Sequence, residues 1–335
     1  MSRAVAVSIC VVVAGICLGG EAEMRELPRG LSQGKLDESV DRGLTYIATN
    51  QNRDGSWGGG AGSYSRDVGI TGLCCLALMA NGNVPGRGKY GKNVDDGVRF
   101  ILRNTNEHTG YIDSQQSRMY GHGFATLCLA EAYGMSPNPE IESKLRLAIR
   151  LIVRTQHPDG GWRYEPVPMG DSDLSVTVCQ IQALRAARNA GVKVPKETVD
   201  RAIKFVKESA EPTGQFSYML RSGGGSYALA GAGVTALYGV GEYDAPEAQR
   251  GIQYMLGHPH MNTGHYHYGH YYASQAFHQA GGKAWEEYFS KTVPEFLSKQ
   301  QPDGSWTGGV GDVYCTAMSC LVLQVHNNYL PIFQR

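Results

Sequence analysis

The sequence lacks an excess of charge of either sign. Lysine and arginine together number 31, and aspartate and glutamate together number 31, so the formal net charge is zero when histidine is neutral. No basic run interrupts this balance. Proteins that bind nucleic acids neutralise phosphates with clustered lysine and arginine side chains. The sequence therefore predicts no nucleic-acid partner.

Several signature motifs are also missing. The eight cysteines include no Cys-x-x-Cys pair, and their spacing does not indicate a disulfide framework. There is no Gly-x-Ser-x-Gly nucleophile elbow and no His-Glu-x-x-His zinc motif. Residues 86–92 nearly complete a phosphate-binding loop, but Asn93 stands where that loop needs serine or threonine. These absences exclude the commonest hydrolase, zinc-peptidase and nucleotide-binding classes.

Residues 1–22 have the pattern of a secretory signal peptide. Arg3 supplies the positive charge, residues 4–20 carry no charge, and Ala22 ends a cleavage site of small residues. The apolar stretch is short for a bilayer-spanning helix, which needs about 20 apolar residues. We therefore expect an exported protein, periplasmic or extracellular. Peripheral association with a membrane or cell envelope is compatible with this location.

A repeated motif runs through the rest of the chain. Its first copy has every defined position, namely Arg42, Gly43, Tyr46, Ile47, Gln51, Gly55 and Trp57. Degraded copies return at intervals of roughly 40 to 55 residues. Their turn glycines are Gly110, Gly160, Gly214, Gly264 and Gly304. The repetition predicts a single domain over residues 23–335, built from about six similar units.

Each unit divides into two helix-like parts. The part before the turn is amphipathic, as in residues 196–208, and the part after it is apolar on every side, as in residues 124–133. A helix that is hydrophobic all round must be buried on all sides. We therefore expect an all-α ring of helix hairpins with buried inner helices, and an open solenoid is the alternative. The cysteines of these inner helices are expected to be free thiols, and a disulfide bridge between neighbouring inner helices is the alternative.

The motif resembles the QW motif of the squalene and oxidosqualene cyclases, whose superfamily includes the prenyltransferase β-subunits. Three copies keep Gln-x-x-Asp-Gly-x-Trp, ending at Trp57, Trp162 and Trp306. The resemblance covers residues 36–330 and implies an α/α toroid around a central cavity. Glycine permits a positive φ in the turn, and tryptophan is expected to pack between outer helices. The motif residues are therefore interpreted as structural.

Residues 171–175 resemble the Asp-x-Asp-Asp-Thr motif of the bacterial squalene–hopene cyclases. In that family the middle carboxyl protonates an alkene, so the resemblance implies Asp173 as general acid and Asp171 as its partner carboxylate. Leu174 and Ser175 replace the last two residues of the motif. The implied activity is a terpenoid or lipid cyclase-like isomerisation, which requires no cofactor.

A second pattern marks the predicted starts of the inner helices, where an acidic residue or histidine precedes threonine or serine by four positions. The acidic residues and histidines are Asp67, His122, Asp173, His270 and Asp312. Tyr227 takes this position in the fourth repeat, and Tyr271 is expected in the cavity wall. Helix capping explains the aspartates. A ring of ionisable groups that binds a ligand at the cavity mouth is the alternative.

Histidines are concentrated in one stretch of the chain. Six of the ten lie between His258 and His278. His265, His267 and His270 present imidazoles at a spacing that suits a transition metal. A divalent metal site is therefore one hypothesis for this stretch, and an aromatic rim without metal is the other.

The prenyltransferase β-subunits bind zinc through an Asp-x-Cys pair. Here Asp312 is followed by Cys315, one residue late for that pair. Those β-subunits also need an α-subunit and a cytosolic prenyl diphosphate, so we expect no α-subunit for an exported chain. Three functions stay open: a cyclase-like enzyme, a non-catalytic binding protein for a small hydrophobic or glycan ligand, and an envelope scaffold.

Overall fold

The computed structural model describes residues 26–59, 64–114, 117–258 and 265–335. The predicted signal peptide, residues 1–22, lies outside these residues. Within them the chain forms twelve α-helices and no β-strand, which confirms the prediction of an all-α protein. The α-helices are α1 (Gln33–Thr49), α2 (Val68–Met79), α3 (Gly91–Arg103), α4 (Arg118–Met135), α5 (Pro139–Arg154), α6 (Leu174–Asn189), α7 (Lys196–Glu208), α8 (Tyr227–Gly239), α9 (Pro246–Gly257), α10 (Tyr266–Ala280), α11 (Gly282–Lys299) and α12 (Asp312–Gln324), followed by 3₁₀ helices Val325–Asn327 and Pro331–Phe333.

The even-numbered helices form an inner ring, and the odd-numbered helices form an outer ring. Each inner helix packs against the even-numbered helices before and after it. Helix α12 packs against α2, so the inner ring is closed. Each outer helix packs against an inner helix. The closed ring excludes the open solenoid that the repeats alone left as an alternative.

The apolar pattern of each helix follows the ring to which it belongs. In α3 the buried side chains Val94, Val98 and Ile101 recur every three or four residues, which gives the helix one core-facing side. Every residue of α8 is buried, because α6, α10 and outer helices surround it. Amphipathic segments thus become outer helices and uniformly apolar segments become inner helices. No helix of the described residues is long and apolar enough to cross a membrane.

The tryptophans of the repeated motif lie between adjacent outer helices. Trp57 Nε1 donates to the carbonyl oxygen of Ile47 in α1 at 2.7 Å. A Cβ atom built on Gly97 of α3 would lie 2.8 Å from the Trp57 ring. Trp306 packs in the same way on α1, where a Cβ atom on Gly43 would lie 3.0 Å from its ring. Glycine at these helix positions therefore makes room for the tryptophan, as the structural interpretation of the motif predicts.

Each turn glycine of the described residues meets the backbone of the next outer helix, and we call this contact the repeat junction. The predicted turn glycine Gly264 lies outside the described residues. Gly160 has a φ of +98°, and a Cβ atom on it would lie 2.3 Å from the carbonyl oxygen of Arg201 in α7. The last repeat meets the first in the same way, because a Cβ atom on Gly304 would lie 2.6 Å from Arg42 O in α1. Gln300 Nε2 also donates to a carbonyl oxygen of α1 at 2.8 Å. The ring is therefore closed by the same contact that joins successive repeats.

The C-terminal segment, residues 325–335, covers one end of the inner barrel. Its 3₁₀ helices pack against α6 and α10. Arg185 of α6 donates to the carbonyl oxygen of Gln334. Glu131 of α4 is buried beside the backbone of Ile332, which hydrogen-bonds to its carboxyl group. The end of the barrel formed by the C-termini of the inner helices is thus occupied by the chain itself.

All six cysteines of the described chain lie in inner helices, and all are buried and unpaired. Burial raises the pKa of Cys179 to about 12. Reactive cysteines need a depressed pKa and access to solvent. The thiols therefore serve as small core residues, as the sequence predicts.

Candidate functional site

The N-terminal ends of the inner helices meet at the end of the barrel opposite the C-terminal segment, and we call this end the mouth. The N–H of Met119, at the start of α4, donates to Tyr164 O in the loop before α6 at 3.1 Å. The N–H of Leu174, at the start of α6, donates to Tyr218 O in the loop before α8 at 2.8 Å. These helix starts are thus held by the loop of the next repeat.

Two of the predicted site aspartates cap inner helices. Asp67 Oδ1 accepts the N–H groups of Gly69 and Ile70 at 2.8 and 2.9 Å. Asp173 Oδ1 accepts the N–H of Val176 at 2.9 Å. Burial raises the pKa of both carboxyl groups, although the hydrogen bonds oppose this shift. Capping accounts for the position of both aspartates, and Asp173 Oδ2 is left buried with no hydrogen-bond partner among the described residues.

The other predicted residues are spread over different surroundings. Asp171 is exposed in the loop before α6, and Asp312 is half-buried at the start of α12. Tyr271 lies inside the barrel, where its ring contacts Phe124 edge to face at a centroid distance of 6.0 Å. Tyr227, at the start of α8, lines a cleft between the outer helices α9 and α11. The structure therefore does not gather these residues around one ligand.

His122 and His270 face the outer ring, so the prediction that they line the mouth is wrong. The N–H of Ile112 donates to His122 Nδ1 at 3.1 Å, and His122 Nε2 lies 3.3 Å from a carbonyl oxygen of α5. In the next repeat Thr177 Oγ1 accepts the corresponding N–H of Trp162. His122 is thus the equivalent of a threonine, one helical turn beyond the aspartate position with which the sequence pattern aligned it.

The three histidines proposed as metal ligands have separate partners. His270 Nδ1 lies 3.0 Å from the hydroxyl of Tyr288 in α11, and burial lowers the pKa of His270 to about 3. His267 Nδ1 lies 3.3 Å from Ser319 Oγ in α12, and His265 is exposed. In the part of the chain that the structure describes, no group of three or more His, Cys, Asp or Glu side chains could hold a metal ion.

Tyrosines gather at the mouth instead, and we call them the mouth tyrosines: Tyr120, Tyr164, Tyr218, Tyr268 and Tyr314. All five are partly exposed. Tyr268 and Tyr314 lie deep within the protein and yet keep solvent-exposed surface. Side chains with both properties line a concave depression. Burial raises the pKa of Tyr120, Tyr218 and Tyr268, so the phenols are neutral near pH 7.

A chain of hydrogen bonds links these phenols to Asp173. Ser175 Oγ donates to Asp173 Oδ1 at 2.6 Å, and the hydroxyl of Tyr120 contacts Ser175 Oγ. Because the serine hydrogen is used on the carboxylate, the Tyr120 hydroxyl donates its own hydrogen to the serine. The Tyr268 hydroxyl donates to the carbonyl oxygen of Ser175 at 3.1 Å. The two phenol oxygens therefore keep free lone pairs and can accept hydrogen bonds from a ligand.

The barrel below the mouth tyrosines is filled. The hydroxyl of Tyr272 lies 3.2 Å from Cys179 Sγ, and the Tyr271 and Tyr272 ring centroids are 4.8 Å apart. One layer deeper, Gln182 Nε2 donates to Gln275 Oε1 at 2.6 Å, which links α6 to α10 through the barrel interior. All five side chains are buried. The depression at the mouth therefore has a closed floor.

Comparison with solved structures identifies the architecture. The type II terpene cyclase MstE from Scytonema superposes with a TM-score of 0.63 at 14% identity, over 89% of this chain and 100% of that chain. The GH76A α-1,6-mannanase from Salegentibacter sp. HEL1_6 gives 0.67 at 10% identity, over 88% and 99%. The chain is an α/α toroid. A protein from Actinoplanes shares this toroid with a TM-score of 0.63 at 15% identity, over 88% and 99%.

The toroid fold confirms the fold that the QW-like motif implied. No protein-family model and no curated protein matches the sequence. Identities this low concern the fold of the toroid alone, because one fold carries many unrelated functions. The function of this toroid therefore depends on its own residues.

The sequence contained a signal for the mouth residues that the aspartate pattern missed. When the repeats are aligned so that His122 corresponds to Thr177, the starts of the inner helices correspond at four residues. These are Arg118, Asp173, Tyr266 and Asp312. The residues two positions further on are Tyr120, Ser175, Tyr268 and Tyr314. This position of the toroid repeat faces the mouth, whereas the position four residues beyond the start faces the outer ring. Tyrosine at the first position is the pattern that identifies the depression.

Proposed function

We propose that the toroid binds a carbohydrate at the mouth tyrosines without transforming it. The observation that carries this proposal is a depression lined by neutral phenols above a closed floor. A tyrosine ring packs on the C–H face of a sugar, and its hydroxyl group exchanges hydrogen bonds with the sugar hydroxyls. Tyr120 and Tyr268 have phenol oxygens with free lone pairs, which suits a ligand rich in hydroxyl donors.

The filled barrel favours a sugar over a long polyene. A cyclase must fold its whole substrate inside a dry cavity, and here the layer of Phe124, Tyr271 and Tyr272 fills the space beneath the mouth. Toroids take both kinds of ligand: MstE is known with geranylgeranyl dihydroxybenzoate and the mannanase with α-1,6-mannotriose. A shallow, hydroxyl-lined depression supports the second kind. Export through the predicted signal peptide would bring the toroid to polysaccharides outside the cytoplasm.

Replacing Tyr268 by alanine should weaken oligosaccharide binding at least about tenfold, because a buried stacking face and one hydroxyl are lost together. Calorimetric titration with a panel of neutral oligosaccharides, beginning with α-1,6-mannotriose, measures the change. Tyr329→Ala is the matched control, since Tyr329 is 52% exposed in the C-terminal segment, away from the mouth. Equal affinities of the Tyr268 and Tyr329 variants, or no saturable binding of any sugar by the unmodified chain, would contradict the proposal.

A cyclase-like activity is the second candidate, and the buried, unpartnered Oδ2 of Asp173 favours it. An alkene-protonating acid must be a protonated carboxyl in dry surroundings, and burial raises the pKa of Asp173. The hydrogen bonds from Ser175 and Val176 act in the opposite direction, because they stabilise the carboxylate.

Incubation with squalene-like polyenes separates the two candidates. We expect no cyclised product, because the closed floor excludes the substrate. Cyclised product from the unmodified chain that disappears in Asp173→Asn would instead establish the second candidate. Asparagine keeps the shape and the cap of Asp173 and removes only the acid.

A further inference from the structure

A cleft of about 230 Å³ opens on the outer side of the ring, between α9 and α11. Its floor is aromatic and apolar, since Phe277 and Tyr288 stack there with a centroid distance of 4.4 Å and Met255 lies beside them. Tyr227 contributes a further ring to the lining. Most of its lining residues belong to the outer helices α9 and α11, so the cleft lies outside the barrel and is distinct from the mouth.

A carboxylate lies among the phenols at the edge of this cleft. Glu295 of α11 lines the cleft, and its Oε1 accepts a hydrogen bond from the hydroxyl of Tyr266 at 3.0 Å. Its negative charge also raises the pKa of the Tyr227, Tyr266 and Tyr288 phenols, in addition to the larger effect of burial. The Tyr227 and Tyr288 rings line the same cleft as this carboxylate, and Glu295 Oε2 is the oxygen that Tyr266 leaves unused.

The ammonium group of Lys299 already lies beside Glu295 and the Tyr266 ring. Lys299 Nζ lies 3.8 Å from the centroid of the Tyr266 ring and 2.6 Å from Glu295 Oε1. An ammonium over an aromatic face is attracted by the ring quadrupole, and a nearby carboxylate adds to this attraction. Tyr227 and Glu295 both line the cleft, and the lysine that lines it with them, Lys291, is paired with Glu287.

The other charges of the cleft admit a cation and give an anion no advantage. Glu287 and Lys291 line the rim and form an ion pair at 2.8 Å. With Glu295 and Lys299 the rim carries two carboxylates and two ammonium groups, so its formal charge balances. Selectivity must therefore come from the aromatic faces, whose negative potential favours cations and disfavours anions.

We propose that the cleft between α9 and α11 is a second ligand site that takes a small organic ammonium ion, with its alkyl groups on Leu256 and Tyr288 and its charge beside Tyr227 and Glu295. Alkylated ammonium groups suit such a site because they are weakly hydrated and combine an apolar surface with a positive charge. The cleft volume of about 230 Å³ accommodates an ammonium ion with a few carbon atoms.

The test uses choline and its neutral isostere 3,3-dimethylbutan-1-ol, in which carbon replaces the charged nitrogen. The full chain is titrated with each probe at constant ionic strength, and binding is monitored by ligand-observed NMR. Choline should bind at least about fivefold more tightly than the alcohol. Equal affinity for the two probes would show that the cleft binds apolar groups without recognising the charge, and it would overturn the proposal. Absence of saturable choline binding would overturn it as well.

Substitutions locate the charge recognition. Glu295→Gln should weaken choline binding about fivefold and leave the alcohol unchanged, because the glutamine keeps the size of the side chain and loses its charge. Tyr227→Leu should weaken choline more than the alcohol, since leucine is apolar without a π face. Glu286→Gln, at an exposed position of the same helix, is the control and should change neither affinity. A loss of choline binding in Glu286→Gln as large as in Glu295→Gln would count against a site at the cleft.

Discussion

Replacing Trp162 by alanine should lower the free energy of unfolding by about 3–5 kcal/mol, the usual cost of removing a large aromatic side chain from a core. Trp162 is 1% exposed, and its Nε1 donates to the carbonyl oxygen of Ile152 at 2.8 Å. Its backbone N–H donates to Thr177 Oγ1 at 3.0 Å. The side chain therefore ties an outer helix to the turn that leads into α6.

Denaturant-induced unfolding followed by circular dichroism measures the loss. Trp162→Phe is the matched control, because phenylalanine fills most of the same space and loses the hydrogen bond to Ile152. We expect it to cost about 1–2 kcal/mol. An alanine variant that kept the stability of the unmodified chain and lost oligosaccharide binding would show that Trp162 belongs to the ligand site and not to the scaffold.

The stability of the fold should fall by about 3 kcal/mol between about pH 5 and about pH 8, on account of Glu131 alone. Burial raises the pKa of Glu131 to about 8, although a hydrogen bond from the Ile332 backbone and the charge of Arg185 oppose this shift. A carboxyl whose pKa is higher in the folded chain than in the unfolded chain stabilises the fold most below the unfolded value. That stabilisation is lost as the pH rises through the folded value.

Comparison of Glu131→Gln with the unmodified chain isolates this effect. Glutamine has nearly the same shape and stays neutral, so the variant should gain about 3 kcal/mol relative to the unmodified chain over the same pH interval. Denaturant titrations at several pH values provide the measurement. Glu140→Gln, at an exposed position of α5, should keep the original pH dependence. Parallel pH profiles for the unmodified chain and Glu131→Gln would show that Glu131 is not desolvated in the folded chain.

The fold could be predicted because its signals are local and repeated. Gln51, Gly55 and Trp57 act within one hairpin and on the next outer helix, so each copy of the motif reports the same junction. The inner helices can be recognised in the sequence by apolar residues on every side, because they have no solvated face. Six weak copies of one pattern together specify a closed ring.

The site was harder to predict because it depends on the direction of side chains within one helical turn. His122 and Asp173 both stand near the start of an inner helix, but they differ by four positions in the repeat and face different rings. Tyr120 was overlooked because an aromatic residue in an inner helix resembles core packing, whereas Tyr268 belongs to the stretch for which an aromatic rim was one hypothesis. Their position at the mouth follows only from the three-dimensional structure. The filling of the barrel could not be predicted from the sequence either, because it depends on how Gln182 and Gln275 meet across the interior.

The repeat junction between Gly304 and Arg42 has a consequence for local opening of the molecule. A linear array of repeats has two end units, each held on one side only, and hydrogen exchange is fastest there. In the described part of this ring, repeat junctions join each of the first four repeats to the next along the chain, and the sixth repeat to the first. Opening any one of the first four repeats therefore breaks two junctions at once. Backbone amides of α1 and α12, the first and last α-helices of the chain, should therefore exchange hydrogen about as slowly as those of α6.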